Sequence, residues 1–133
     1  MEAFRPRVLI GSTADLQTLA TLADTGTLDI SSVDTAVFIA TGLGSQAIGD
    51  VERVVLWQAF GVPAYELLLS SAGQLMACEC EAHEGWHLEA RILRQRLPDG
   101  TRIETALCAC GRKEPRIVAA ENSHLAGALA ATA

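Results

Sequence analysis

Two tight cysteine pairs constrain this chain more than any other feature. All four cysteines of the 133-residue sequence fall in Cys-x-Cys pairs, Cys78/Cys80 and Cys108/Cys110. The two cysteines within such a pair are too strained to form an ordinary disulfide with each other. Thiolates are strong ligands for zinc, and His83 and His87 lie between the pairs. The pattern predicts a metal site that ties two distant segments together.

The expected cellular compartment bears on the choice between metal ligands and disulfides. The N-terminal segment, Met1-Glu-Ala-Phe-Arg-Pro6, lacks the apolar core of a signal peptide. No stretch approaches the about eighteen apolar residues that a membrane span needs. We therefore expect a cytoplasmic protein that does not enter membranes, with reduced thiols. Disulfides between the two pairs, or four buried thiols without a metal, are the alternatives.

Composition and charge limit which kind of fold the chain can adopt and which partners it can bind. Half of the residues are apolar and 20% are charged, so the chain can bury a core, and residues 1–133 are expected to form a single domain. The net charge of −6 and the isoelectric point near 4.9 repel phosphate backbones, so nucleic acid is not expected as a partner.

The first half of the sequence, residues 1–72, alternates short apolar runs with helical patterns. Ser12 offers an N-cap, with Asp15 three residues later, and Gly26 is expected to end that helix. The predicted order is strand, helix, strand, helix, strand, which gives a parallel βαβαβ unit. The predicted elements are strands at 8–10, 33–40 and from 62, with helices at 13–26 and 46–60.

The second helix is expected to carry five apolar residues on one face and to pack on the sheet. They are Ile48, Val51, Val54, Val55 and Ala59. The turn at 41–45, Thr-Gly-Leu-Gly-Ser, resembles a phosphate-binding loop only weakly, and a plain strand-to-helix turn is favoured.

The second half, residues 73–125, has a different sequence pattern. Residues 75–80 and 86–93 are typical of strands, and Pro98-Asp-Gly100 predicts a hairpin turn. The expected fold class is α/β, with a small parallel βαβαβ half followed by an antiparallel, zinc-bearing β layer.

The spacing of cysteines and histidines suggests a specific ligand set. Glu84 and Gly85 can turn the chain between Cys80 and His87, and Gly111 lets a Cys-x-Cys-Gly turn fold around a metal. Three thiolates and one imidazole, from Cys80, His87, Cys108 and Cys110, suit a tetrahedral zinc. Two alternatives stay open: Cys78 shares a strand face with Cys80, and His83 is close to it.

The same segments carry a family resemblance. The sequence Cys80-Glu-Ala-His-Glu-Gly-Trp-His87 resembles the Cys-x₆-His segment of phenylacetate-CoA ligases, which are adenylate-forming enzymes. The sequence Cys108-Ala-Cys-Gly-Arg-Lys-Glu-Pro-Arg-Ile117 resembles their Cys-x-Cys-Gly-Arg-x-x-x-Arg-Ile segment. The upstream segments at 7–16 and 60–68 are also similar. The resemblance implies one zinc held by Cys80, His87, Cys108 and Cys110, without Cys78.

The departures from that family concern ATP. The resemblance aligns the family's magnesium-associated glutamate with Ala72, which cannot bind a cation. Its adenine-side motif is replaced around 41–44, its hinge motif becomes Ala119-Ala-Glu-Asn-Ser123, and the domain carrying its catalytic lysine has no counterpart here. Since these groups stabilise transferring phosphate, we expect no independent adenylation.

These features lead to a functional hypothesis. We expect a non-catalytic, structural-zinc domain derived from an acyl-CoA ligase, which binds a small carboxylic acid, an acyl thioester or a protein partner. The partner would be a second copy of the chain or a larger ligase-type protein. The alternatives are an accessory subunit that completes an acid-CoA ligase site with another chain, and a homo-oligomeric enzyme with unrelated chemistry.

Overall fold

The computed structural model describes residues 4–42, 48–92 and 97–118. Two helices and seven strands form within these ranges, and neither helix is long and apolar enough to cross a membrane. In chain order they are β1 (Val8–Gly11), α1 (Thr13–Asp24), β2 (Ala36–Gly42), α2 (Asp50–Phe60), β3 (Ala64–Leu69), β4 (Leu75–Glu79), β5 (Trp86–Leu88), β6 (Arg102–Glu104) and β7 (Arg116–Val118).

The strands form one mixed sheet in the order β1-β2-β3-β4-β5-β7-β6. The first three strands pair in parallel, and each pairing from β3 onward is antiparallel. The predicted α/β class, with a parallel βαβαβ half followed by an antiparallel half, is confirmed. Strand β4 pairs with β3, so the antiparallel strands belong to the same hydrogen-bonded sheet as the parallel strands.

The helices pack against the parallel strands because their largest apolar side chains are directed there. Leu16 of α1, Ile39 of β2 and Leu56 of α2 are at most 1% exposed, and Phe60 packs in the same cluster. Full burial of one such side chain is worth about 1.5–3 kcal/mol. The start of α1 is as predicted, since Ser12 Oγ accepts a hydrogen bond of 3.1 Å from the Asp15 amide.

A second apolar cluster lies in the antiparallel half. It consists of Leu68, Ala77, Leu88 and Ile117. Because side chains alternate along a strand, the neighbouring His87 is directed to the opposite face, and its cross-strand partner Cys78 shares that face. The candidate ligand His87 therefore lies on the sheet face opposite the apolar cluster.

The predicted end of the strand at 86–93 is wrong. Strand β5 ends at Leu88, and the amide of Ile92 donates to the Glu89 carbonyl in a turn rather than continuing a strand. The turn at 98–101 exists, with Thr101 bonded to the Pro98 carbonyl, and the first strand of the predicted hairpin falls partly on residues 93–96, outside the described residues. Strand β6 pairs with β7, which lies between β6 and β5.

The prediction for the second helix is wrong in its start, and its predicted apolar face is buried only in part, since Ile48 and Ala59 pack against the core cluster. Residues 48 and 49 are not helical, and α2 begins at Asp50, with Gly49 as N-cap. Its buried residues are Leu56 and Phe60, whereas Val51, Val54 and Val55 are 75%, 53% and 43% exposed. Both sides of the helix carry apolar residues, and the side with the larger Leu and Phe side chains packs on the sheet.

Candidate metal centre

The four predicted ligands meet at one place in the fold. Cys80 directly follows β4, His87 lies in β5, and Cys108 and Cys110 lie in the connection from β6 to β7. Their Sγ and imidazole nitrogen atoms all lie within 4.8 Å of one another. Cys80, His87 and Cys108 are buried, and Cys110 is partly buried. A buried group of three thiols and one imidazole could hold a metal ion.

The turn from Cys80 to His87 is compact and depends on a glycine. The amide of His83 donates to the carbonyl of Cys80 at 3.0 Å, which starts the turn. Gly85 has a φ of +112°, and a Cβ on it would lie 2.5 Å from the Ile117 carbonyl oxygen of β7. This glycine lets the turn lie directly against β7.

The second ligand segment folds as the sequence predicts. The amide of Gly111 donates to the carbonyl of Cys108 at 2.9 Å, and Gly111 has a φ of +90°. The amide of Cys108 donates to the carbonyl of Arg112 at 3.3 Å. These bonds close a tight loop around the Cys108-Ala109-Cys110 segment, so both thiols are presented on one side.

The spacing of the ligand atoms fits a tetrahedral metal. Tetrahedral zinc, with Zn–S bonds of about 2.3 Å and a Zn–N bond of about 2.0 Å, separates two sulfurs by about 3.8 Å and a sulfur from nitrogen by about 3.5 Å. Cys80 Sγ lies 3.7 Å from Cys108 Sγ. Cys110 Sγ lies 3.4 Å from His87 Nε2. The donor set therefore fits the size of a zinc coordination shell.

The surroundings affect the protonation of the ligands in different directions. Burial, together with the neighbouring thiols of Cys110 and Cys108, raises the pKa of Cys80 to about 11. A hydrogen bond with the backbone of Cys110 lowers the pKa of Cys108, and the other thiols act in the same direction. Cys108 is thus the thiol more readily ionised of the two, and a divalent cation would favour the thiolate form of all the cysteines in the group.

The surroundings of His87 favour its neutral form, which is the form that binds a metal ion. Burial lowers its pKa, and the positive charge of Arg112 adds to that effect. Nε2 is directed towards Cys110, while Nδ1 is buried and has no hydrogen bond of good geometry. The backbone of Glu114 acts on the pKa of His87 in the opposite direction.

The two alternative ligands lie outside this group. The thiol of Cys78 donates to the carbonyl of Glu79 at 3.3 Å, and its pKa is raised by burial. His83 stacks on Tyr65, with ring centroids 5.7 Å apart, and its Nδ1 lies 3.0 Å from Glu79 Oε1. Neither side chain is needed to complete a set of four ligands.

A buried charged cluster next to the turn from Cys80 to His87, here called the metal turn, was not predicted from the sequence. Arg53 of α2 forms two bonds with Glu79, at 2.8 and 3.1 Å, and its NH2 lies 3.6 Å from Glu66 Oε2. Glu66 is fully buried, and its Oε1 accepts bonds from the Ile48 amide and the Thr41 hydroxyl. Burial raises the pKa of Glu66. A glutamate inside the apolar run at 64–69 was the available sequence signal.

A shallow cavity of about 290 Å³ lies between α2 and the metal turn. Trp57, which is 55% exposed, Val54 and Pro63 give it an apolar lining, and Arg53 and His83 lie in its wall. The cavity and the exposed valines of α2 make this side of the molecule unusually apolar for a surface.

The remaining sequence predictions concern nucleotide chemistry. Ala72 lies in the turn between β3 and β4 and offers only a methyl group. Strand β2 ends at Gly42, and the rest of the glycine-bearing turn, residues 43–45, lies outside the described residues, as does the segment 119–123.

Solved structures share this fold. An open conformation of 2-hydroxyisobutyryl-CoA ligase in complex with 2-HIB-AMP and CoA matches 86% of this chain, with a TM-score of 0.58 and 16% sequence identity. The same ligase in the postadenylation state, in complex with R3-HIB-AMP, matches 86% with a TM-score of 0.58 and 17% identity.

The match covers only part of the solved enzyme. The chain spans about a third of the ligase, 33% and 32% in the two structures. No protein-family model matches the chain, and no curated protein matches it. At this identity the similarity shows a common fold with part of an acyl-CoA ligase, and the function has to be argued from the site.

Proposed function

We propose that this chain binds one zinc ion through Cys80, His87, Cys108 and Cys110, and that the zinc is structural. The single observation that carries the proposal is the convergence of these four donors, from two distant segments, at the spacing of a tetrahedral zinc. Sulfur donors disfavour magnesium and calcium, and three thiolates with one imidazole are a common structural zinc set.

The zinc would contribute stability rather than chemistry. Four protein ligands leave no open position for water or substrate. The short strands β5, β6 and β7 have three residues each and a small apolar cluster, so the antiparallel half has little else to hold it. Zinc binding is worth on the order of 10–16 kcal/mol in small zinc-binding peptides. We therefore expect the antiparallel half to depend on the metal.

We further propose that the domain derives from a phenylacetate-CoA ligase-like enzyme and is non-catalytic. The shared fold and the two zinc-segment motifs support the origin. Ala72 in the turn after β3, and the closed ligand set, support the absence of adenylation chemistry. A reducing, cytoplasmic location would keep the four thiols available for zinc.

A binding role follows from the apolar surface of α2. Val51, Val54 and Trp57 are more than half exposed, next to a shallow open cavity. Such a surface suits a protein partner better than a small acyl ligand, because it is broad and shallow. The partner would be a second copy of this chain or a larger ligase-type protein, and native mass measurement of the chain alone separates these two.

Metal analysis tests the proposal. The purified chain is expected to contain about one zinc, and a Cys108→Ser, Cys110→Ser variant is expected to contain none. Cys78→Ser is the matched control, since its thiol lies outside the ligand group, and it is expected to keep its zinc. Full zinc in the double variant would refute the ligand set. Pyrophosphate release with ATP, magnesium and carboxylic acids would refute the non-catalytic role.

A second candidate function is an accessory subunit of an acid-CoA ligase. It is favoured by the match of this chain to about a third of a solved ligase. In that case another chain would supply the phosphate-binding loop and the lysine, and also a carboxylate in place of Ala72. Acid-CoA ligase activity that appears only on mixing with such a chain would support it, and activity that is independent of this chain would exclude it.

A further inference from the structure

Arg116 is a buried arginine with two carboxylates near it, those of Glu84 and of Glu104, its cross-strand partner in β6. It lies in β7 and is 5% exposed. Its ion-pair partner among the described residues is Glu84, whose half-exposed carboxylate is 3.6 Å from Arg116 NH1. Arg116 Nε is buried and has no hydrogen-bond partner there. Because a buried guanidinium is costly without nearby anions and hydrogen-bond acceptors, a further negative charge beside Arg116 would stabilise it.

The position of Arg116 relates it to the metal centre. Its cross-strand partner in β5 is His87, so both side chains lie on the same face of the sheet. Arg116 NH1 donates to the Glu84 carbonyl at 2.6 Å, within the turn between the first two ligands. Arg116 NH2 reaches the Ala106 carbonyl at 3.4 Å, two residues before Cys108. One guanidinium thus connects the two segments that carry the ligands.

The proposed centre would add negative charge on the face of the sheet that carries Arg116. A divalent cation with three thiolates and a neutral imidazole has a net charge of −1. Arg116 lies directly opposite the ligand His87, and its guanidinium bonds to the chain two residues before the ligand Cys108. Loading the site would therefore place an anionic centre beside the buried cation.

We propose that Arg116 is a positioning residue of the metal centre. It holds the 80–87 turn and the segment before Cys108 at the separation that the metal requires, and its charge offsets the net negative charge of the loaded site. This inference rests on the proposed zinc function. It adds a requirement for a residue that is not a ligand.

Arg112 provides a matched control. It carries the same charge close to the site, but it is half exposed and forms an ion pair of 3.5 Å with Glu114. Its guanidinium has no hydrogen bond to the carbonyl of Glu84 or Ala106 among the described contacts. Arg112→Gln therefore removes a positive charge from the same neighbourhood and leaves both tethers in place.

Competition titration of the full chain against a chromophoric chelator measures the zinc affinity. Arg116→Met is expected to weaken zinc binding by about 10–100-fold, the usual effect of losing a residue that orients metal ligands. Arg116→Lys keeps the charge but cannot reach both carbonyls, and an intermediate loss of about 10-fold is expected. Arg112→Gln is expected to change the affinity by less than about 5-fold, because exposed charges are well screened.

Urea unfolding with and without zinc separates positioning from a general structural role. A structural role would lower the stability of both forms equally, whereas a positioning role lowers that of the zinc-bound form more. Cobalt(II) spectra of the loaded variants give a second readout, since displaced ligands change the tetrahedral absorption bands. Equal losses in both forms, with unchanged cobalt bands, would overturn the inference.

If the wild-type chain binds zinc and the zinc affinity of Arg116→Met is within about 3-fold of the wild-type value, this inference is overturned and the proposed function is not. If Arg116→Met fails to fold, Arg116→Lys decides, and unchanged affinity in that variant overturns it. Absence of zinc and cobalt binding by the wild-type chain would instead overturn the proposed function, and this inference with it.

Discussion

Replacement of Gly85 by alanine tests how closely the metal turn packs against β7. Gly85 has a φ of +112°, and an added Cβ would lie 2.5 Å from the Ile117 carbonyl oxygen and 3.1 Å from Val118 Cγ1. Backbone strain at such a φ costs about 1–3 kcal/mol in a residue other than glycine. The overlap with backbone adds about 1–3 kcal/mol, as overpacking does elsewhere. We expect Gly85→Ala to lose about 2–6 kcal/mol of unfolding free energy.

Gly73→Ala is the matched control. Gly73 also has a positive φ, +78°, in the turn between β3 and β4, but nothing lies within 4 Å of its added Cβ. Only the left-handed backbone penalty applies there, about 1–2 kcal/mol. Urea unfolding, followed by circular dichroism, should place the midpoint of Gly85→Ala about 1 M or more below that of Gly73→Ala. Equal midpoints for the two variants would refute the close contact between the turn and β7.

Three further predictions concern stability and surface. The pKa of Glu66 is raised in the folded protein. The stability that protonation of Glu66 contributes is therefore fully present below the unfolded pKa and is lost as pH rises through the folded pKa. In the wild-type chain this lowers the free energy of unfolding by up to about 1.4 kcal/mol per pH unit, and Glu66→Gln should remove that decline. Urea unfolding across pH measures it, and a pH profile that is the same in both proteins would contradict the prediction. Ser12→Ala removes the cap on α1 and should cost about 1 kcal/mol, with a loss near zero counting against the cap. Trp57→Ser should weaken any self-association seen in gel filtration, with Leu22→Ser, on α1, as a control that leaves it intact.

The parts of the fold that could be predicted depend on short-range signals. Ser12 caps α1 through an amide three residues away, and Gly111 closes the loop around the Cys108–Cys110 pair. The four donors could also be identified from the sequence, because Cys-x-Cys spacing and the family resemblance both indicated them. Their convergence in space agrees with that prediction, while the identity of the metal stays a proposal.

The parts that could not be predicted depend on long-range packing. Helix α2 carries apolar residues on both sides, so periodicity alone could not show that Leu56 rather than Val51 is buried. The placement of β7 between β5 and β6 requires pairing that skips the sequence order. The cluster of Arg53, Glu66 and Glu79 joins residues 13 and 26 positions apart. Whether the two halves form one folding unit also stays a prediction.

The proposed centre is a single metal ion held by three sulfurs and one nitrogen. X-ray absorption at the zinc edge, on the purified and zinc-loaded chain, tests it most directly. We expect three sulfurs at about 2.3 Å and one nitrogen at about 2.0–2.1 Å, with the nitrogen lost in His87→Ala. A shell of four sulfurs, which would require Cys78, or a shell with mostly oxygen and nitrogen donors, would contradict it.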